Sequence, residues 1–328
     1  MLPMTPRHTA GLATTLFALA ALPFWAIVNA QQAPATATID VLPVRGQVFL
    51  LAGPATNALV QVGPEGVLVV DTMREQDADQ LLAAIRKLAP GKTIRYVLNT
   101  HAHLDHVGGN QKISTAGTQL VGGNFAGQVT GDHAFIVAHE HVLNALSAPT
   151  GTQPPLPFAA WPTDTFFQAE KDMYFNGEGI ELLYQPNAHT DGDVLVYFRA
   201  SDVIAAGDLF DMTRYPEIDA KRGGHINGII EALNRIIDLA ISEQFTEGGT
   251  RVVPGRGRIC DEFDVVEYRD MVTIVRDRVQ TMIKKGMTLN QIEATRPTLD
   301  YDPRYGSTSG SWTTPMFIEA VYKNLGGK

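Results

Sequence analysis

Three apolar runs follow one another with almost nothing between them: VFLLAG (Val48 to Gly53), NALVQVG (Asn57 to Gly63) and GVLVVD (Gly66 to Asp71), joined by Gly-Pro and Pro-Glu-Gly turns. Runs this short, bounded by turn residues, bury their side chains by pairing edge to edge, which predicts an antiparallel meander and commits this part of the chain to a sheet. An amphipathic helix follows, with Leu81, Leu82, Ile85 and Leu88 on one face and Pro90-Gly91 as its stop. RYVL (Arg95 to Leu98) is the next strand. Further on, ELLYQ (Glu181 to Gln185), VLVYF (Val194 to Phe198), VIAAG (Val203 to Gly207) and TRVVPG (Thr250 to Gly255) repeat the short-strand pattern. Ile229, Ile230, Leu233, Ile236, Ile237 and Ala240 mark a helix between the last two, so the class is α/β.

After Asp261 the pattern becomes helical. Val265, Tyr268, Val272, Val275, Val279 and Ile283 recur at helical spacing, a shorter helix capped by Thr288 follows, and residues 258–328 read as mainly helical. GTQPPLPFAAWP (Gly151 to Pro162) is the one long irregular loop. No repeat divides the chain, and 45% hydrophobic residues are ample for one core, so residues 31–328 are expected to form a single domain. Basic residues number 26 against 35 acidic, a net charge of -9, with no basic run, which argues against a nucleic-acid partner.

The N-terminus has the form of an export signal. Arg7 precedes the uncharged LFALAALPFWAIV (Leu16 to Val28), and Val28-Asn29-Ala30 offers small residues for cleavage. Residues 1–30 are therefore read as a signal peptide, the mature chain as beginning near Gln31 with a flexible start over 31–45, and the location as secreted or periplasmic. The stretch Ala10 to Val28 is also long enough to serve as an uncleaved anchor, the one route by which this chain would meet a membrane. A single cysteine, Cys260, excludes an intrachain disulfide and reads as a small buried hydrophobe.

At the end of the RYVL strand lies NTHAHLDHVGGN (Asn99 to Asn110). Along its extended part His101, His103 and Asp105 fall at i, i+2 and i+4 and can face one way, while His106 begins a helical turn. A helix N-terminus disfavours imidazolium, so His106 is expected to be neutral and able to give a lone pair to a cation. Two later strand ends carry further donors, His189 in QPNAHTDGD and Asp208 in AAGDLFD. Ligands from several strand ends can converge on one sheet edge, and a third histidine with a carboxylate suits a borderline divalent ion. AHEHV (Ala138 to Val142) begins like a zinc-protease helix, but Leu143 stands where the second histidine is needed, so His139 and His141 read as surface or structural residues.

From about Gln47 to Gly257 the sequence resembles the metallo-β-lactamase superfamily. The strand-ending Asp is matched by Asp71, the HxHxDH motif in full, the later His by His189 and the bridging Asp or Cys by Asp208. The last element, a His in a glycine turn after the final strand, falls on VVPGRG (Val252 to Gly257), where Arg256 replaces the histidine. The resemblance implies a four-layer αββα sandwich, here with a C-terminal helical extension, and a metal site at the edge between its sheets. It implies a first zinc site of His101, His103 and His189, a second begun by Asp105 and His106 with Asp208 bridging, and Asp71 supporting from behind. A guanidinium has no lone pair, so Arg256 cannot ligate. Three arrangements remain: His225 in RGGHINGII substitutes, the second zinc binds weakly, or Arg256 itself fills the place of the second cation.

Zinc held by three histidines leaves a position for water and lowers that water's pKa to roughly 7. Asp105 would orient the attack and take a proton. The expected activity is hydrolysis of a small-molecule ester, lactone, thioester or β-lactam. Asp208 is a Cys or Ser in the best-known clinical β-lactamases, so the resemblance at that position is closer to glyoxalase-II-like and lactonase members. Phe158, Trp161, Phe166 and Phe167 either roof a pocket or pack the loop down. Two other readings stand beside this one. In the first, two histidines and Asp208 hold a single ferrous ion, as in the sulfur dioxygenases of this fold. In the second, the chain is a periplasmic metal-binding accessory protein with little turnover.

Overall fold

The computed structural model describes residue 1 and residues 38–121, 129–147 and 156–327. Residues 2–30 of the stretch read as an export signal, most of the QQAPATAT stretch and residues 151–155 of the Pro-rich loop lie outside the described residues. Among the described residues no helix is long and apolar enough to cross a membrane.

The chain opens with β1 (Asp40–Arg45), β2 (Val48–Ala52), β3 (Asn57–Gly63) and β4 (Gly66–Val70), each antiparallel to the next. Helix α1 (Ala78–Leu88) then carries the chain back over the sheet, so β5 (Ile94–Leu98) lies parallel to β4, as a helical crossover requires. The short helices α2 (Leu104–Val107) and α3 (Asn110–Thr115) and the ribbon of β6 (Gln119–Val121) with β7 (Val129–Gly131) follow. Strands β8 (Phe135–His139) and β9 (Asp164–Phe166) complete the first sheet, with α4 (Glu140–Ser147) between them. The second sheet is β10 (Glu170–Phe175), β11 (Glu178–Gln185), β12 (Asp193–Phe198), β13 (Val203–Asp211) and β14 (Arg251–Arg256), in that order. β13 and β14 are parallel, joined through α5 (Ile226–Leu239).

Alternation along the strands makes the layers. In β4, Val67 and Val69 face α1, packing on Leu81, Leu82 and Ile85, while Leu68 and Val70 face the second sheet. In β13, Val203 and Ala205 meet them from the other side, and Ile204, Ala206 and Phe210 face outward. That outer face is covered by Ile229, Leu233 and Ile236 of α5 and by Val265, Tyr268, Val272 and Val275 of α6 (Glu262–Lys284). The result is a four-layer αββα sandwich. The C-terminal part adds α7 (Leu289–Thr295), α8 (Asp302–Tyr305) and α9 (Thr314–Asn324). Helix α6 starts with a capping box of Asp261 and Asp264, and α7 with one of Thr288 and Gln291.

One expectation changes. Residues 40–45, assigned to the flexible start, form the edge strand β1, with Asp40 opposite Ala52 and Val41 opposite Leu51. Its largely exposed side chains and Pro43 hide it from a periodicity reading, yet Pro is acceptable at an edge, where its missing N–H faces no partner strand. Arg45 fastens it to the second sheet through Asp202 at 3.0 Å.

Candidate metal centre

The edge where both sheets present their strand ends gathers the donors. The short loop after β5 brings His101, the residue capping α2 is His103, the loop between β11 and β12 brings His189, and β13 brings Asp208. One donor atom from each of the four lies within 4.8 Å of the others. His189 Nε2 and His103 Nδ1 stand 2.9 Å apart, and His189 Nε2 is 3.9 Å from an Asp208 oxygen. His101 Nε2 is buried with no hydrogen-bond partner among the described residues. Buried polar atoms seldom go unpaired, so an orphaned lone pair aimed into a cluster of imidazoles and a carboxylate fits a cation.

Each imidazole is held from behind. His101 Nδ1 is 3.0 Å from the Thr100 hydroxyl, which donates to Asp71 at 2.7 Å. His103 Nε2 meets Asp219 at 3.0 Å, and His189 Nδ1 donates to the Glu217 carbonyl at 2.8 Å. Such partners fix the ring and its tautomer. Burial holds the pKa of His101 well below the usual imidazole range, and burial with the neighbouring His103 holds His189 at about 3. Both therefore keep a free lone pair at neutral pH.

Asp71 lies behind the cluster. Its carboxylate accepts from the Thr100 N–H at 2.9 Å and from the Thr100 hydroxyl, and it lies 2.7 Å from His106 Nδ1. It does so from a left-handed backbone (φ 60°), a conformation that Asp tolerates better than most residues.

Asp105 and His106 are not among the converging donors. His106 is clasped by Asp71 and, through Nε2, by Asp208 at 3.1 Å. Burial opposes its charge, but Asp208 and Asp71 outweigh burial and raise its pKa to about 10. The neutral ring expected from the helix terminus is therefore not what this arrangement favours. Helix α2 has only four residues, and its dipole is small beside two carboxylates in contact.

Arg256, the last residue of β14, places one guanidinium nitrogen on Asp208 and the other on Asp105, with Asp211 at 3.6 Å. Burial opposes ionisation of both carboxylates, but His106 and Arg256 overcome it and hold them below the usual range. The approach depends on Gly255, where a Cβ would overlap an Asp208 oxygen. Arg214 adds a second guanidinium, bound to Asp211 at 2.9 Å and Glu217 at 2.8 Å and 3.9 Å from Asp208.

His225 lies outside the cluster. It caps α5, where Nδ1 accepts from the Asn227 N–H at 3.1 Å and Nε2 faces the Asn324 carbonyl at 3.2 Å, so neither nitrogen is free. Of the four aromatics, Phe166 is core between the sheets, and Trp161 packs beside Ala102 and Val107 with its N–H on the Leu156 carbonyl. Phe158 and Phe167 are exposed. His139 ends β8, buried and stacked on Tyr184 at 3.8 Å, and His141 pairs with Asp191 at 3.4 Å.

The sequence reading missed Thr100, Asp211, Arg214 and Asp219. Thr100 lay inside the quoted motif, where a hydroxyl beside a ligand was a usable signal. Asp219 lies 30 residues beyond His189, within a turn it caps itself, and no spacing rule marks it.

The family model of the metallo-beta-lactamase superfamily matches residues 52–243. Among curated proteins, the chain is similar to the 2,4-dinitroanisole O-demethylase subunit alpha of Nocardioides sp. (strain JS1661), with 29% identity over 157 residues, 48% of this chain and 42% of that one. It is also similar to the linear primary-alkylsulfatase of Pseudomonas sp. (strain ATCC 19151), with 22% identity over 254 residues, 70% of this chain and 47% of that one. The chain thus spans less than half the length of these two relatives. Among solved structures, the stereoselective inverting sec-alkylsulfatase from Pseudomonas sp. shares the fold, with a TM-score of 0.59 and 16% identity over 88% of this chain and 50% of that one. With more than half of its length matched and four donors from three strands gathered at one edge of the sheets, the chain belongs to the metallo-beta-lactamase superfamily.

Proposed function

We propose that this chain is an exported zinc hydrolase that opens the carbonyl of a small-molecule ester, lactone, thioester or β-lactam, using one firmly held metal and the guanidinium of Arg256 in place of a second. The observation that carries the reading is the convergence of His101, His103, His189 and Asp208 within 4.8 Å. Three nitrogens and one oxygen match the donor preference of zinc. A ferrous site of two histidines and one carboxylate would leave one of the three converging imidazoles without a role. Zinc in this position would supply Lewis-acid chemistry, polarising a carbonyl and making water a nucleophile near neutral pH.

The protein's own groups do the rest. Thr100, Asp219 and the Glu217 carbonyl hold the three rings in orientation. Arg256 offsets the mutual repulsion of Asp105 and Asp208 and keeps Asp105 ionised at the mouth of the cavity, where it can orient the attacking water and accept its proton. Export rests on the residues from Arg7 to Ala30, and N-terminal sequencing of the secreted fraction tests it: a chain beginning at Met1 or Leu2 replaces cleavage with anchoring.

The deciding experiment is metal analysis of protein purified without chelator, joined to a panel of chromogenic esters, lactones, thioesters, cephalosporins and sulfate esters. Bound zinc and turnover of at least one carbonyl substrate, both lost in His103→Ala and His189→Ala, are expected. Unchanged activity and melting temperature in metal-free protein would remove the site assignment. Zinc without turnover on any substrate would leave a binding protein.

A further inference from the structure

Two cavities meet beside the metal centre. The first, of about 300 Å³, is the polar mouth, bordered by Asp105, Arg214 and Arg256. The second, of about 540 Å³, runs along α9 past Trp312, Met316 and Ala320. His103, Glu217, Arg222 and Ser311 border both, so Arg222 stands at the junction. We propose that the second cavity is a binding compartment for an amphipathic anion, with Arg222 receiving the anionic group and the Trp312, Met316 and Ala320 wall receiving an apolar arm. Calling that anion a substrate rests on the hydrolase reading; its binding does not.

Helix α9 buries Phe317, Ile318 and Val321 in the core. Met316 therefore lies on its opposite side, where a helix that only packed would carry a polar residue, and Ala320, one turn on and half-buried at the edge of the core, borders the same cavity. Met316 is 40% exposed there, and the Trp312 N–H is shut from solvent with no partner among the described residues. Apolar side chains lining a cavity beside an arginine suit a ligand with an apolar arm and an anionic head. Arg222 gives one nitrogen to Asp219 at 2.8 Å, and its side chain remains 35% exposed. A guanidinium has five N–H groups in a planar fork, so enough remain to grip a carboxylate or sulfate. Lys221 adds positive charge beside it, whereas Lys323 is already paired with Glu319 at 2.6 Å. Glu217, Asp219 and Glu319 line the same compartment, so an anion there is held by the remaining N–H groups of Arg222 rather than by a net positive field. α9 lies beyond the matched residues 52–243, whereas the facing wall, from His103 and Glu217 to Arg222, lies within them.

The test is calorimetric titration of the zinc-loaded protein with octanoate, with octan-1-ol and acetate as probes of each half alone. Octanoate should bind more tightly than either. Arg222→Gln should weaken octanoate about tenfold or more, and Trp312→Ala should weaken octanoate but leave acetate unchanged, both at unaltered zinc content. Because Arg222 also touches Asp219, Met316→Asp serves as a second variant: its carboxylate in the apolar wall should repel octanoate without disturbing the centre. Absence of octanoate binding, or equal binding by the wild type and all three variants, would overturn the proposal, the latter placing the carboxylate on the metal. The titration reads binding without turnover. Arg222-dependent binding without hydrolysis of any ester sinks the hydrolase reading alone, and hydrolysis without octanoate binding sinks this inference alone.

Discussion

The side-chain amides of Asn99 and Asn110 donate to each other, Asn99 Nδ2 to Asn110 Oδ1 at 3.0 Å and Asn110 Nδ2 to Asn99 Oδ1 at 2.9 Å, tying shut the turn that carries His101, His103, Asp105 and His106. Asn110 also donates to the Ala160 carbonyl at 3.0 Å and accepts from the Thr72 hydroxyl at 2.9 Å. Both asparagines are buried, so every one of these groups depends on its protein partner.

Removing Asn110 would leave the Asn99 amide and the Ala160 carbonyl short of a partner, while the Thr72 hydroxyl keeps the His106 carbonyl at 3.2 Å. Each orphan costs roughly 1–3 kcal/mol, so Asn110→Ala is predicted to lose about 2–4 kcal/mol of stability. Urea unfolding of metal-free protein measures it apart from zinc binding. A loss under about 0.5 kcal/mol would mean that water replaces the amide and the turn does not depend on it.

The sequence reading placed the meander, the crossover helix and the later strands because short apolar runs bounded by glycine and proline leave little choice. It missed β1, whose buried contacts are few and whose proline argues against a strand, and β10, whose exposed face carries Glu170, Asp172 and Tyr174. At the metal centre, residues inside one motif were legible by spacing. Asp219 and Arg214 were not, because they reach the centre through tertiary folding of a turn that has no periodicity. His106 shows a different limit: its place beside the cluster follows from the motif, but its charge depends on Asp71 and Asp208, which come from two other strands.

Asp219 is predicted to act on the metal through His103. It meets His103 Nε2 at 3.0 Å and is itself held by Arg222, and although burial opposes its charge, these hydrogen bonds keep its pKa low. Losing an oriented partner behind a metal-binding histidine costs about 10–100-fold in affinity. Asp219→Ala should show that loss in competition with a chromogenic zinc chelator, with the fold intact by circular dichroism. Affinity equal to the wild type would show that His103 needs no orientation from this carboxylate.

Cys260 is predicted to be inert. Its thiol is buried against Met212, burial and then Asp264 push its pKa up, and the thiolate is the reactive form. A thiol reagent such as a dithiobis-nitrobenzoate should label the native protein only as fast as it unfolds, and label it at once in denaturant. Rapid stoichiometric labelling of folded protein would place the sulfur at a surface.

Arg256 is predicted to decide the metal count. Its guanidinium lies on both Asp105 and Asp208, and burial fails to lower its pKa because those two carboxylates raise it further. A cation fixed there satisfies the charges that a second zinc would need, and it offers no lone pair in exchange. Wild-type protein dialysed against metal-free buffer is therefore predicted to hold close to one zinc per chain, with Arg256→His raising the count toward two as an imidazole joins Asp105 and Asp208. His225→Ala should leave the count unchanged, since that ring is spent on Asn227 and Asn324, and should cost only the cap of α5, about 1 kcal/mol. Two tightly bound zincs in the wild type would require Arg256 to swing away from both carboxylates, and would end the claim that it stands in for a metal.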